Sequence, residues 1–188
     1  ATPLADHLAP PAFSDCIEVK LQVHGIQAQR LSGNRRNVPV ERFKTGSAAF
    51  AATSFESHQG LSITGAWQGQ RVDVAAGSLY APIAQPKAKL LMALLEPQAP
   101  DSYLAWGFFN NRFERKEYME DYVAEEVARD MLKDPAIKAE FDAKLAADKA
   151  FAGSPQQRLE FFARKHSSWD DHYQAYPVLR TAVDFSGN

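Results

Sequence analysis

The chain has 188 residues, 45% hydrophobic and 23% charged, with a formal net charge of -2. That length can hold a sizeable core, and so balanced a charge argues against nucleic acid or an anionic membrane surface as a partner. Cys16 is the only cysteine, which excludes an internal disulfide and a four-cysteine zinc site.

Residues 1 to 15, "ATPLADHLAPPAFSD", are rich in Pro and Ala and show little periodicity, so they read as a lead-in or linker. They lack the basic start and apolar stretch of a signal peptide. The start without methionine leads us to expect a processed or excised piece. "CIEVKLQVHGI" then alternates, with Ile17, Val19, Leu21 and Val23 on one parity, and predicts a strand. Gly33 and Asn34 in "QRLSGNRRNVPV" mark a turn or long loop, and "SAAFAATSFESHQ" is compatible with a further strand. "LSITGAWQGQRVDVAAGSLYAPI" predicts two strands reversing at Gln68–Gly69, because Leu61, Ile63 and Trp67 share one parity and Val72 and Val74 the other. Alternation with a polar face points to an antiparallel sheet.

Beyond residue 83 the period becomes helical. "PKAKLLMALLEP" has Pro86 near its start and Pro97 past its end. Its apolar run, Leu90 to Leu95, is too short to span a bilayer. From Glu117 a stripe of Tyr118, Tyr122, Val123, Val127 and Met131 predicts an amphipathic helix. Asp134–Pro135 and Ser154 with Gln157 carry helix-start signals. Strands before helices define an α+β class: an N-terminal antiparallel sheet region followed by a helical C-terminal half. The expected organisation is one domain over residues 16–188, β-rich over 16–83 and helical over 84–180.

Catalytic sets are sparse. Neither HExxH nor HxxE occurs among the five histidines. "KHSSWDDH" offers His166, Asp170 and His172 as weak metal candidates, with His166 and Asp170 on one face if helical. The bland alternative is a solvated helix end over Trp169. Cys16 with His24 is weighed as a nucleophile pair against a small buried hydrophobe. Ser78 in "GSLY" lacks the GxSxG elbow and belongs to a turn. Glu114 and Glu117 have the side chains of general acids but no sign of a shared cleft. Arg35, Arg36 and Arg42 are anion-binding candidates, since a guanidinium fork matches carboxylate or phosphate. Tyr80, Tyr103, Trp106, Phe108 and Phe109 are candidate docking residues, weighed against a role as core where helix meets sheet. Gly107 permits close backbone approach beside Trp106. Asn110 and Asn111 are expected to hold the following turn through bonds to backbone.

The segment "GSLYAPIAQPKAKLLMALLEPQAPDSYLAWGFFNNRFERKEYMEDYVAEEVARDML" and the later "DPAIKAEFDAKLAADKAFAGSPQQRLEFFARKHSSWDDHYQAYPVLR" resemble the C-terminal, non-catalytic part of bacterial M14-type zinc carboxypeptidases. The resemblance covers residues 76 to 180. It implies an exported, periplasmic or secreted protein whose catalytic domain holds zinc through an HxxE pair and a distant histidine. No such ligand transfers to this sequence, so zinc is expected in the parent catalytic domain and no cofactor here. The implied partner is that peptidase domain of the same chain. The expected role is an accessory domain that packs on it. An independent peptide- or glycan-binding module is the alternative, and neither nucleic acid nor a membrane span is expected.

Overall fold

A computed structural model describes residues 5–114, 120–169 and 172–187. The chain is α+β and falls into two compact units. The first comprises residues 1–114 with 172–188, and the second residues 115–171.

Among the described residues the first unit has six strands: β1 (Asp6–Ala9), β2 (Gln29–Arg30), β3 (Arg35–Phe50), β4 (Leu61–Val74), β5 (Leu79–Ala81) and β6 (Ala175–Thr181). Their order is β2-β5-β1-β6-β3-β4, with every neighbouring pair antiparallel. Helices α1 (Pro11–Val23) and α2 (Ala88–Leu95) belong to the same unit. The first face of the sheet carries the larger core. Phe43, Leu79, Tyr176 and Val178 pack there with Ile17 and Leu21 of α1, and with Leu91, Leu94 and Leu95 of α2. The second face carries Leu8, Leu31, Val38, Val40, Val74, Tyr80 and Leu179, covered by Val183 and Phe185 of the segment after β6.

Four sequence expectations need correction. Residues 6–9 and 11–15 are no linker, since they form β1 and the first turn of α1. "CIEVKLQV" is helix, not strand: only the i, i+4 pair Ile17 and Leu21 is buried, while Val19 and Val23 are 59% and 80% exposed. Pro11 at the first helical position removes an N–H that would lack a partner anyway. No reversal occurs at Gln68–Gly69, because β4 runs unbroken from Leu61 to Val74. Its parity change marks two faces: Leu61 and Ile63 enter the larger core near one end, Val74 the smaller core at the other. The reversal lies instead at 51–60, closed by Ala51 N–H donating to the Gly60 carbonyl at 2.9 Å. Finally, residues 175–181 are strand β6, not helix, buried on both faces between β1 and β3.

The second unit holds α3 (Asp121–Met131), α4 (Pro135–Ala147), α5 (Lys149–Gly153) and α6 (Pro155–Ala163). Its core is Phe151, Phe161, Phe162 and Ala128, with Phe141 packed against them. The Phe141 and Phe162 rings lie 4.8 Å apart. The expected caps are present. The Asp134 carboxylate accepts from Ala136 N–H at 2.8 Å, and Ser154 Oγ from Gln157 N–H at 3.3 Å. The stripe on α3 is displaced from expectation: Ala124 and Ala128 are buried and Tyr122 is exposed. Tyr118 and Glu117 lie outside the described residues.

A candidate docking groove

The exposed side of α1 faces a wall of aromatic residues. Val19, Lys20, Val23 and His24 line one side of a groove of about 500 Å³, and Leu94, Asp101, Tyr103, Trp106 and Phe108 line the other. Periodicity places Val19 and Val23 there, because burial of Ile17 and Leu21 turns residues two positions away outward. The aromatic wall is held from behind. Tyr103 N–H donates to the Leu94 carbonyl at 2.9 Å, and Leu61 N–H to the Ala105 carbonyl at 3.2 Å. These bonds tie the segment to α2 and β4.

Gly107 makes the local turn possible. Its φ is +81°, and an added Cβ would lie 2.5 Å from the Gln59 carbonyl oxygen. Asn110 reaches that same carbonyl, donating from Nδ2 at 2.8 Å. Its bond therefore spans to the β3–β4 reversal, beyond its own turn. The reversal in turn props Trp106: His58 meets the indole edge-on at 5.5 Å, with Phe55 at 6.4 Å. Phe108 contacts Tyr103 edge-on at 5.5 Å, and Lys20 Nζ sits 4.0 Å above its ring.

Electrostatically the groove is amphipathic. The Tyr103 hydroxyl is buried without a hydrogen-bond partner. Burial, and then the Cys16 thiol, push its pKa up to about 12. Cys16 itself is exposed rather than a buried hydrophobe. It lies eight positions from His24, about 12 Å along a helix, too far for a nucleophile–base pair.

The groove gathers three of the five expected docking residues, Tyr103, Trp106 and Phe108. Tyr103 is at the same time a buried member of the larger core, and the other two lie wholly in the core. Phe109 stacks edge-on against Phe13 and Tyr176. Tyr80 is 1% exposed on the second sheet face, where its hydroxyl donates to Asp6 at 2.5 Å and to Asp184 at 3.2 Å. Val19 and Val23 were missed because the strand expectation hid their outward position.

The arginines do not form one cluster. Arg35 and Arg36 begin β3, and Arg42 follows seven residues after Arg35, roughly 20 Å along an extended strand. Arg42 lines a separate cavity with Arg112. Among the described residues no group of three His, Cys, Asp or Glu gathers to hold a metal. His166 Nδ1 bonds Ser168 Oγ at 2.8 Å, His172 belongs to the other unit, and Asp170 lies outside the described residues. Trp169 receives the Arg164 guanidinium at 5.2 Å. Ser78 is buried in a turn beside Gly77, whose φ is +82°. Glu114 is exposed, and Glu117 lies outside the described residues.

One polar set joins the buried His7 and Arg180 to the partly buried Glu96. Glu96 accepts from Arg180 Nε at 2.8 Å, pairs with Arg180 Nη2, and bonds His7 Nε2 at 3.0 Å. Arg180 also stacks on Trp67 at 4.0 Å. Burial drives the Glu96 carboxylate upward, but the bonds from His7 and Arg180 outweigh it and hold its pKa below the usual range.

The class defined by these features is an α+β protein with an antiparallel sheet whose first face carries two helices, and with an aromatic groove beside α1. No family model, no curated protein and no solved structure matches the chain. Among the described residues no helix is long and apolar enough to cross a membrane.

Proposed function

We propose that the chain is a non-catalytic accessory part of a zinc carboxypeptidase-like protein, and that the groove beside α1 is where it packs on the peptidase domain. The observation that carries this reading is the exposed pair Val19 and Val23 opposite Trp106 and Phe108. An apolar helix face set against aromatic rings is the composition of an interface centre, with Lys20, His24 and Asp101 as its polar rim. The resemblance over residues 76 to 180 supplies the occupant: a catalytic domain in the same, longer polypeptide, with zinc held there. Hydrolysis of C-terminal residues from peptides then belongs to that parent, in the periplasm or outside the cell. This part contributes shape and stability.

Val23→Glu and Trp106→Ala test the reading. Titrated against the peptidase part encoded upstream, each is expected to weaken binding at least about tenfold, as loss of an interface anchor does. Thermal stability should change little for Val23→Glu. Unaltered binding by both variants, or an upstream frame without HxxE, defeats the proposal.

A second reading, an independent peptide- or glycan-binding module, draws on the Tyr103 hydroxyl, which is left without a hydrogen-bond partner in a wall that also carries Trp106. Saturable quenching of tryptophan fluorescence by short peptides or oligosaccharides, lost in Trp106→Ala, would favour it.

A further inference from the structure

On the second sheet face, β3 and β6 lose register between Arg42 and Lys44, opposite Leu179 and Ala175. Pro177 lies in that stretch. Proline brings no N–H to a ladder, so a central strand accommodates it only at an irregularity. Such irregularities bend the strand and re-aim side chains. Here a cavity of about 200 Å³ opens beside Pro177, floored by Val72, Val74 and Leu179 and bordered by Arg42 and Arg112.

Arg42 shares parity with the buried Val38 and Val40, so it takes a core-facing position and is half-buried. Its guanidinium makes no hydrogen bond or ion pair among the described residues. Burial, and then the nearby charge of Arg112, both disfavour its protonated form. Arg112 is engaged elsewhere, stacking on Phe13 at 5.0 Å. The carboxylate on the cavity wall, Asp73, is exposed and accepts the Asn37 backbone N–H at 2.8 Å. His172 also borders the cavity and has its own partner. A half-buried cation beside a second cation costs free energy that an incoming anion offsets. A guanidinium fork suits a planar carboxylate, and the apolar floor favours an anion with a hydrocarbon end.

We propose that this cavity binds a small organic carboxylate, its charge held by Arg42 in the field of Arg112 and its apolar end laid on Val72, Val74 and Leu179. The site lies apart from the groove beside α1 and stands independently of what docks there.

Calorimetric titration of the full chain with butyrate, acetate and inorganic phosphate at constant ionic strength tests the proposal. Butyrate should bind about tenfold more tightly than acetate, the gain from two buried methylenes, and more tightly than phosphate. Arg42→Met, which keeps the volume and removes the half-buried charge, should abolish butyrate binding without lowering Tm. Arg42→Lys should retain part of it. Failure of butyrate to bind at millimolar concentration, equal binding of phosphate and butyrate, or unchanged binding in Arg42→Met overturns the proposal.

Discussion

Beneath α1 and α2 the first face of the sheet buries Phe43, Tyr176 and Val178 among leucines from both helices, whereas the second face is roofed by the segment carrying Val183 and Phe185. An antiparallel sheet needs only one face sealed against a core. The contrast teaches where chemistry fits in this unit. The heavily covered face is filled with interlocked side chains, and the buried charge of Arg180 is paired there with Glu96. The thinly covered face leaves space where β6 departs from its ladder.

The contrast can be broken hardest at Glu96. Glu96→Ala leaves Arg180 charged and unpaired in the interior and should cost about 4 kcal/mol, read from chemical denaturation. The wild type carries a pH signature of the same pairing. The folded pKa of Glu96 is depressed, so its contribution is full above the unfolded value and is lost as pH falls through the folded one. Stability should therefore drop below about pH 4, the free glutamate range.

Next come matched truncations on the two faces. Leu91→Ala, on the sealed face, should cost about 4 kcal/mol, because its neighbours cannot close the void. Leu31→Ala, on the second face, should cost about 2 kcal/mol, since a roof made of one segment can settle. Equal losses would show that the two faces are packed alike.

A smaller effect is expected in alkali. Burial raises the pKa of Tyr80, Tyr103 and Tyr176, with the first and last above the ordinary range for folded proteins. Raised values mean that the folded state holds its protons longer, so stability falls as pH climbs beyond about 10. Spectrophotometric titration should show Tyr80, Tyr103 and Tyr176 ionising late, together with unfolding. The smallest effect belongs to the outer side of α1. Val19→Ser and Val23→Ser should each change stability by less than about 0.5 kcal/mol, which separates the groove from both cores.

Much of this fold was legible in the residues. The α+β class, helix α2 between its prolines, and the caps at Asp134 and Ser154 all follow from local chemistry, because each depends on neighbours in sequence. What was hidden depends on distant partners. Ile17, Val19, Leu21 and Val23 satisfy a period of two, and only packing against the first sheet face shows that two of them are buried. β1 has four residues and needs β5 and β6 to be a strand at all. β6 contains a proline that argues against a central strand until the register break beside Arg42 is known. Of the groove, Tyr103, Trp106 and Phe108 were legible as a cluster, whereas their α1 counterpart was not. Of the cavity, Arg42 was legible by type, but the presence of Arg112, seventy residues further on, beside it depends on the tertiary fold.

The two middle strands of the sheet, β1 and β6, come from opposite ends of the described chain and lie side by side. On a ribosome the long β3–β4 hairpin is therefore complete well before its inner neighbour has been synthesised. Until residues 175–181 emerge, the β3 edge stands open as a template for any passing strand. Closing the sheet must then wait for residues 175–181, and so long-range a pairing makes slow folding the expected consequence.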